Sequence, residues 1–146
     1  MSYFNVRVYG LLINRQHQIL ISDERHQGKL FSKFPGGGLE LGEGLKEALE
    51  REFMEECNAE IEVVNHFYTT DFFERSTFND SQIISIYYIV KERRPLDIAI
   101  KSFPFDFDEG SDQSFRWVNL SDLRPDMVTF RTDQTVVGLL LKEMDL

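Results

Sequence analysis

At 146 residues, 42% apolar and 13% aromatic, the chain has the size and apolar content of one globular domain with a real core. Its formal charge of −9, with Lys and Arg scattered rather than gathered into a stripe, excludes a broad footprint on long DNA or RNA. The one cysteine, Cys57, excludes an internal disulfide framework, and no charged-then-apolar leader or long apolar run is present.

These properties lead to the expectation of a single domain over residues 1–146 in a reducing, cytoplasmic setting, with no membrane contact. An acidic protein that binds a small anion needs divalent cations or a local basic pocket.

"NVRVYGLLI" (5–13) and "QILISD" (18–23) are rich in β-branched and aromatic residues, and the polar "NRQH" between them reads as a hairpin loop joining two antiparallel strands. The loop that follows carries Arg25, His26, Lys29 and Lys33 ahead of Phe34-Pro35. Basic loop residues are more often solvated than bound, but Arg25 is the one chosen to meet phosphate oxygens, and His26 is the histidine best placed to touch a substrate.

Gly36, Gly37 and Gly38 permit a tight turn or a close approach of backbone to a ligand. From Gly44 to Cys57 no Pro or further Gly intervenes, and Leu45, Ala48, Leu49 and Phe53 recur at helical spacing. Asn58 should stop this helix, because Asn tolerates the left-handed backbone of a C-cap.

"IEVVNHFYTTDFF" (61–73) and "QIISIYYIV" (82–90) read as neighbouring strands joined through "ERSTFND". Phe72, Phe73 and Phe78 cluster at that connection, where core packing is a commoner use than stacking on a base or lining a dimer interface. Residues 91–113 carry two prolines and an acidic cluster, the pattern of a long functional loop that has room for a short strand, and "SFRWVNL" (114–120) returns to strand. The tail 132–145 puts Val136, Val137, Leu140, Leu141 and Met144 on one helical stripe, with Thr132 or Asp133 as N-cap. With no repeat or linker, strands framing and following a helix indicate an α/β or α+β fold.

The helix over 44–57 holds a conflict. At 100° per residue from Leu45, Glu52 and Glu56 fall at about −20° and +20°, the centre of the apolar stripe, and Glu55 at about −80°. Glu47 and Glu50 point away, as a solvated glutamate should. Glu52 and Glu56 are an i,i+4 like-charge pair near the C-terminal end, where the macrodipole also disfavours negative charge, so a cation is expected to compensate them. Arg51 is one candidate, though its direction suits Glu47 and Glu55 better than Glu52 and Glu56 together. A divalent metal suits the geometry better, and all-oxygen ligands favour Mg²⁺, with Mn²⁺ as the alternative.

The glycines match neither a P-loop, which would need Lys after Gly42, nor G-x-G-x-x-G, since residue 41 is Leu41. The EF-hand pattern fails from Asp106, because its sixth and twelfth positions are Ser111 and Trp117. Cys57 has no neighbouring His and reads as packing, and His17, His26 and His66 lack metal-ligand spacing.

Taken together, residues 37–59 resemble the Nudix box, G-x5-E-x7-R-E-U-x-E-E-x-G-U, at Gly37, Glu43, Arg51, Glu52, Phe53, Glu55 and Glu56. The chain departs from it at Asn58 and Ala59. The resemblance implies an α/β/α sandwich with a mixed sheet, a catalytic loop-helix and a C-terminal helix. It implies a metal-dependent hydrolase that cleaves the pyrophosphate bond of a nucleoside diphosphate linked to another moiety by attack of water on phosphorus. A nucleotide sugar such as ADP-ribose is favoured over damaged nucleoside triphosphates.

By the same resemblance Glu52, Glu55 and Glu56 are metal ligands with the Gly36 carbonyl, Arg51 and Glu43 tie the loop to the helix, and Gly37 and Gly38 face the substrate. Many members add a carboxylate from a loop outside the box; Glu109 is chosen for it, with Asp112 as runner-up. The alternative class is a Nudix-fold sensor or interaction module that binds nucleotide without cleaving it. The apolar strands and tail helix permit a homodimer without specifying one.

Overall fold

The computed structural model describes residues 2–144. Within them the chain forms β1 (Tyr3–Leu12), β2 (Gln18–His26), β3 (Lys29–Lys33), β4 (Gly36–Gly38), α1 (Leu45–Cys57), β5 (Ile61–Thr69), β6 (Ser81–Glu92), β7 (Gln113–Asn119) and α2 (Arg131–Met144). Two single 3₁₀ turns, Leu120–Asp122 and Pro125–Met127, lie between β7 and α2. Two compact units result, Met1–Leu12 with Pro35–Ile98 and Ile13–Phe34 with Ala99–Leu146.

The first unit is built on a mixed sheet of order β4-β1-β6-β5. β1 runs parallel to β6 over the full length of β1, from Tyr3 opposite Ser81 to Leu12 opposite Val90. β4 and β5 add antiparallel edges. One face of β1 receives α1: a Cβ on Gly10 would stand 2.5 Å from the Phe53 ring, so only glycine lets this helix sit so close. Val8, Leu12, Ala48, Leu49, Phe53 and Cys57, all at 0% exposure, make the core there, which is the packing role expected for Cys57.

The opening pair of strands is not the hairpin expected from the sequence. β1 pairs with β6 along its length on one edge and with β4 over Arg7–Tyr9 on the other, so the middle of the strand has no hydrogen-bonding side left for β2. What remains is a local turn: the Asn14 side-chain carbonyl accepts from the amides of Gln16 and Gln18, both at 3.0 Å, and a single bridge joins Ile13 to Ile19.

The second unit carries an antiparallel sheet of order β3-β2-β7. β3 is a further correction, since residues 24–33 read as a basic loop in the sequence and instead form a hairpin arm. Gln27 and Gly28 have φ of 50° and 75°, the positive pair that a two-residue hairpin turn requires. The segment 91–112 forms no strand of its own but lays Ile100 and Lys101 beside Phe115, where the Lys101 amide donates to the Phe115 carbonyl at 2.8 Å.

β5 and β6 pair as the sequence suggested, with register shifts between Val63 and Asn65 and between His66 and Tyr68. α2 begins at Arg131, so Thr132 and Asp133 lie inside its first turn, both buried, and neither is the N-cap. Val136, Val137 and Leu140 are buried as expected, but Met144 is 45% exposed, and Asp145 of the expected helix lies outside the described residues. Among the described residues no helix is long and apolar enough to cross a membrane.

Candidate active site

α1 starts at Gly44, whose amide is accepted by Glu47 Oε1 at 3.0 Å, a capping interaction at the helix end that favours negative charge. It ends at Asn58, at φ 47° and ψ 38°, whose amide closes on the Met54 carbonyl at 3.1 Å. Between these caps the helix presents its carboxylates as the angular count demanded: Glu52 and Glu56 are half-buried, whereas Glu47, Glu50 and Glu55 are exposed.

The hub is Arg51. Its Nε and Nη2 reach Glu43 Oε2 and Oε1 at 2.5 and 2.8 Å, a fork-to-fork pair that ties the 39–43 loop to the helix. Nη2 also donates to the Gly38 carbonyl at 3.0 Å, so the same guanidinium fixes the end of β4. Nη1 lies 3.0 Å from Glu52 Oε1 and 3.2 Å from Glu55 Oε2. The sequence-based expectation that Arg51 would lie between Glu47 and Glu55 is therefore half right; Glu47 is turned to its cap, and Arg51 takes Glu52 in its place.

Arg51 has its pKa pushed further up, first by the Glu43 hydrogen bond, and Glu43 is held below the usual carboxylate range by the same Arg51 bond. A depressed carboxylate stabilises the fold above its unfolded pKa, and that contribution is lost as the pH falls through the folded pKa. Replacing Arg51 by Ala should raise the Glu43 carboxyl pKa toward its ordinary value, which carbon-detected NMR titration of the Glu43 carboxyl measures. An unchanged titration would break the assignment of Arg51 as its main partner.

β4 explains the glycines. A Cβ on Gly37 would lie 2.5 Å from the Glu52 carboxyl carbon and 2.6 and 2.7 Å from its two oxygens, so the bare backbone makes room for that carboxylate. Gly36, at φ 150°, is packed still closer, with a Cβ due 2.1 Å from the Val8 carbonyl. These residues form an edge strand on β1 rather than the tight turn that glycines alone would suggest.

The donors around this strand and helix are carboxylates and backbone carbonyls, hard oxygens suited to Mg²⁺ or Mn²⁺. Gly37 makes room for the Glu52 carboxylate against the β4 backbone, and this all-oxygen donor set is chemically suited to such an ion. Glu52 and Glu55 are turned to Arg51, and among the described residues no three His, Cys, Asp or Glu side chains stand grouped as they would around a metal ion.

In the second unit Glu109 stands exposed on a turn closed by the Ser111 amide on the Asp108 carbonyl at 3.0 Å, with Gly110 at φ 80°. Asp112 is held by Arg25, whose Nε and Nη2 both lie 3.0 Å from Asp112 Oδ1. Arg25 also lies over the Phe107 ring at 4.8 Å. The arginine chosen for phosphate thus braces the acidic loop. Lys33 is not in a solvated loop but buried in β3, and His66 bonds Thr69 Oγ1 at 2.8 Å.

Two polar clusters in this unit were missed. Asp23 is fully buried and receives Arg116 Nε at 2.7 Å and Ser32 Oγ at 2.6 Å. On the other face of β2, Ser22, Glu24, Lys33 and Gln113 form a second network. The available signal was "SDE" (22–24) inside an otherwise strand-like run, three polar residues where a central strand buries both faces.

A family model described as NUDIX domain matches residues 4–136, which take in parts of both units. Among curated proteins no match to the sequence is found. Solved structures share the fold. The solution structure of the E. coli ORF135 protein aligns at TM-score 0.73 and 16% identity, covering 97% of this chain and 91% of that one. A MutT protein from Methanosarcina mazei aligns at 0.72 and 18%, covering 98% and 96%. An ADP-ribose pyrophosphatase from Streptococcus suis aligns at 0.65 and 14%, covering 97% and 92%. The mixed sheet with two helices is the α/β layout of these structures.

Proposed function

The chain belongs to the Nudix family, and from that premise we propose that it acts as one domain over residues 1–146 and hydrolyses the pyrophosphate bond of a small nucleotide. The favoured substrate is a nucleoside diphosphate joined to a sugar, ahead of damaged nucleoside triphosphates. The observation that carries this reading is the carboxylate end of α1, with Glu52 set against the bare backbone of Gly37 and Glu52 and Glu55 sharing one guanidinium nitrogen. The name of the Streptococcus suis structure supports the choice of a nucleotide sugar.

Glu52, Glu55, Glu56 and the Gly36 carbonyl would hold the divalent cation, which when bound supplies charge neutralisation at the phosphate oxygens and acidifies water. The rest falls to the chain itself. Arg51, pinned by Glu43, limits the rotamers of Glu52 and Glu55 and holds the Gly38 carbonyl, so the loop and the helix keep one geometry. Gly37 and Gly38 admit phosphate close to the backbone. Glu109 is the carboxylate assigned to accept the proton of the attacking water, because Asp112 is already engaged by Arg25.

Purified protein incubated with Mg²⁺ and a panel of nucleotide sugars, dinucleotide polyphosphates and nucleoside triphosphates, with products identified by mass spectrometry, tests the proposal. Metal-dependent cleavage of the anhydride is expected, fastest for nucleotide sugars. Tight binding without cleavage across the panel would replace the hydrolase with a nucleotide sensor.

A further inference from the structure

We propose that Arg25 is a positioning residue that keeps the Glu109 carboxylate in one place by gripping both sides of the turn that carries it. Every group that makes the grip belongs to the second unit. Only its effect on rate rests on the hydrolase reading above.

The grip is made by one side chain. On the N-terminal side of Glu109 the Arg25 guanidinium lies over the Phe107 ring, 4.8 Å from its centroid. On the C-terminal side its Nε and Nη2 both lie 3.0 Å from Asp112 Oδ1, and Nη2 lies 3.4 Å from the Ser111 carbonyl. Residues before and after Glu109 thus meet on one planar group. The backbone repeats the attachment, since the Arg25 amide donates to the Asp112 carbonyl at 2.9 Å.

A second tether is independent of the first. The Lys101 amide is bound to the Phe115 carbonyl of β7 at 2.8 Å, and its Nζ reaches Asp108 Oδ1 at 2.6 Å. The residue just before Glu109 is therefore anchored to β7, as those after it are to β2. Phe105 stands at φ 62°, a left-handed backbone that a bulky side chain avoids, with its ring 6.2 Å from that of Phe107. Such a conformation persists where the surroundings over-determine it, which a merely solvated acidic loop would not do.

The carboxylates divide the work. Asp108 and Asp112 are engaged by Lys101 and Arg25. Glu109, between them, is exposed, and among the described residues its carboxylate makes no hydrogen bond or ion pair. With side chains 49% and 72% exposed, the Arg25–Asp112 pair adds little to global stability. Its effect is local: it takes freedom from the turn, so the carboxylate is ordered before a substrate arrives. Arg25 thereby acts on the reaction through Glu109 and not by contact with phosphate.

The test is a double-mutant cycle. Hydrolysis of ADP-ribose with Mg²⁺ is measured in the parent protein, Arg25→Ala, Glu109→Gln and the double variant, beside circular dichroism and ¹⁵N relaxation of the Glu109 and Gly110 amides. Arg25→Ala is expected to lower kcat roughly tenfold with KM changed less than about twofold. Glu109→Gln should lower kcat about a hundredfold or more, and the double variant should be no slower, because Arg25 has nothing left to position. The heteronuclear NOEs of both amides should fall in Arg25→Ala. Arg25→Lys, which keeps the charge beside Asp112 but loses the flat face against Phe107, should recover part of kcat. A raised KM with kcat kept in Arg25→Ala, a double variant roughly tenfold slower than Glu109→Gln, or unchanged NOEs would each overturn the inference. Failure of the hydrolase reading would appear separately, as no cleavage by the parent protein while the order of the turn is still lost in Arg25→Ala.

Discussion

Glu56→Gln is expected to lower Mg²⁺-dependent hydrolysis by about two to three orders of magnitude while the protein stays folded. The amide keeps the size of the side chain and removes its charge. Glu56 is half-buried one helical turn after Glu52 on the stripe that also carries Leu45, Ala48 and Leu49, so two like charges are held on the core-facing side of α1. That arrangement is costly unless cations offset it; Arg51 stands 3.0 Å from Glu52, and the divalent ion is the cation assigned to both carboxylates together. Glu50 provides the control: it is exposed on the opposite face, and Glu50→Gln should change turnover little. The comparison is read from steady-state kinetics beside circular dichroism of each variant. Equal turnover in Glu56→Gln and the parent protein would sink the assignment of these carboxylates to the metal.

Arg116→Ala is expected to cost about 3–5 kcal/mol of stability, the penalty for leaving a buried charge without its partner. The Asp23 side chain is 1% exposed and that of Arg116 14%, so little solvent screens the pair. Arg116 binds both oxygens of Asp23, Nε to Oδ2 at 2.7 Å and Nη2 to Oδ1 at 3.2 Å. Without it, only Ser32 Oγ remains among the donors to this carboxylate seen in the described residues. Replacing both partners by Leu should recover most of the loss, because a buried ion pair is often no better than an apolar pair of similar volume. Urea denaturation of Arg116→Leu, Asp23→Leu and the double Leu variant, beside Arg116→Ala, closes the cycle. A loss below about 1 kcal/mol in Arg116→Ala would mean that the pair behaves as a surface salt bridge.

The sequence by itself determined α1 and the directions of its carboxylates. Leu45, Ala48, Leu49 and Phe53 mark the buried stripe, Asn58 marks the stop, and a 3.6-residue period then fixes where Glu52, Glu55 and Glu56 must point. The same local logic gave β5, β6, β7 and the apolar stripe of α2, because period and capping are properties of neighbours in the chain. The spacing of Glu43 and Arg51 was also legible, since the motif fixes both positions.

Partner choice in the sheets was not, because it depends on which edges are already filled. β1 looks like the first arm of a hairpin, yet it is paired along β6, a strand about eighty residues later in the chain, and with the glycine strand β4. No local pattern marks Gly36–Gly38 as a strand; it is one only because β1 lies beside it and Glu52 occupies the space a Cβ would need. Arg25 read as a phosphate contact and Lys33 as a basic loop residue, whereas the hairpin of β2 and β3 and the approach of β7 bring Asp112 to the first and Glu24 to the second. Side-chain charge is written in the sequence, but its counter-charge comes from strands some ninety residues distant or from a hairpin partner, and only the tertiary structure sets those distances.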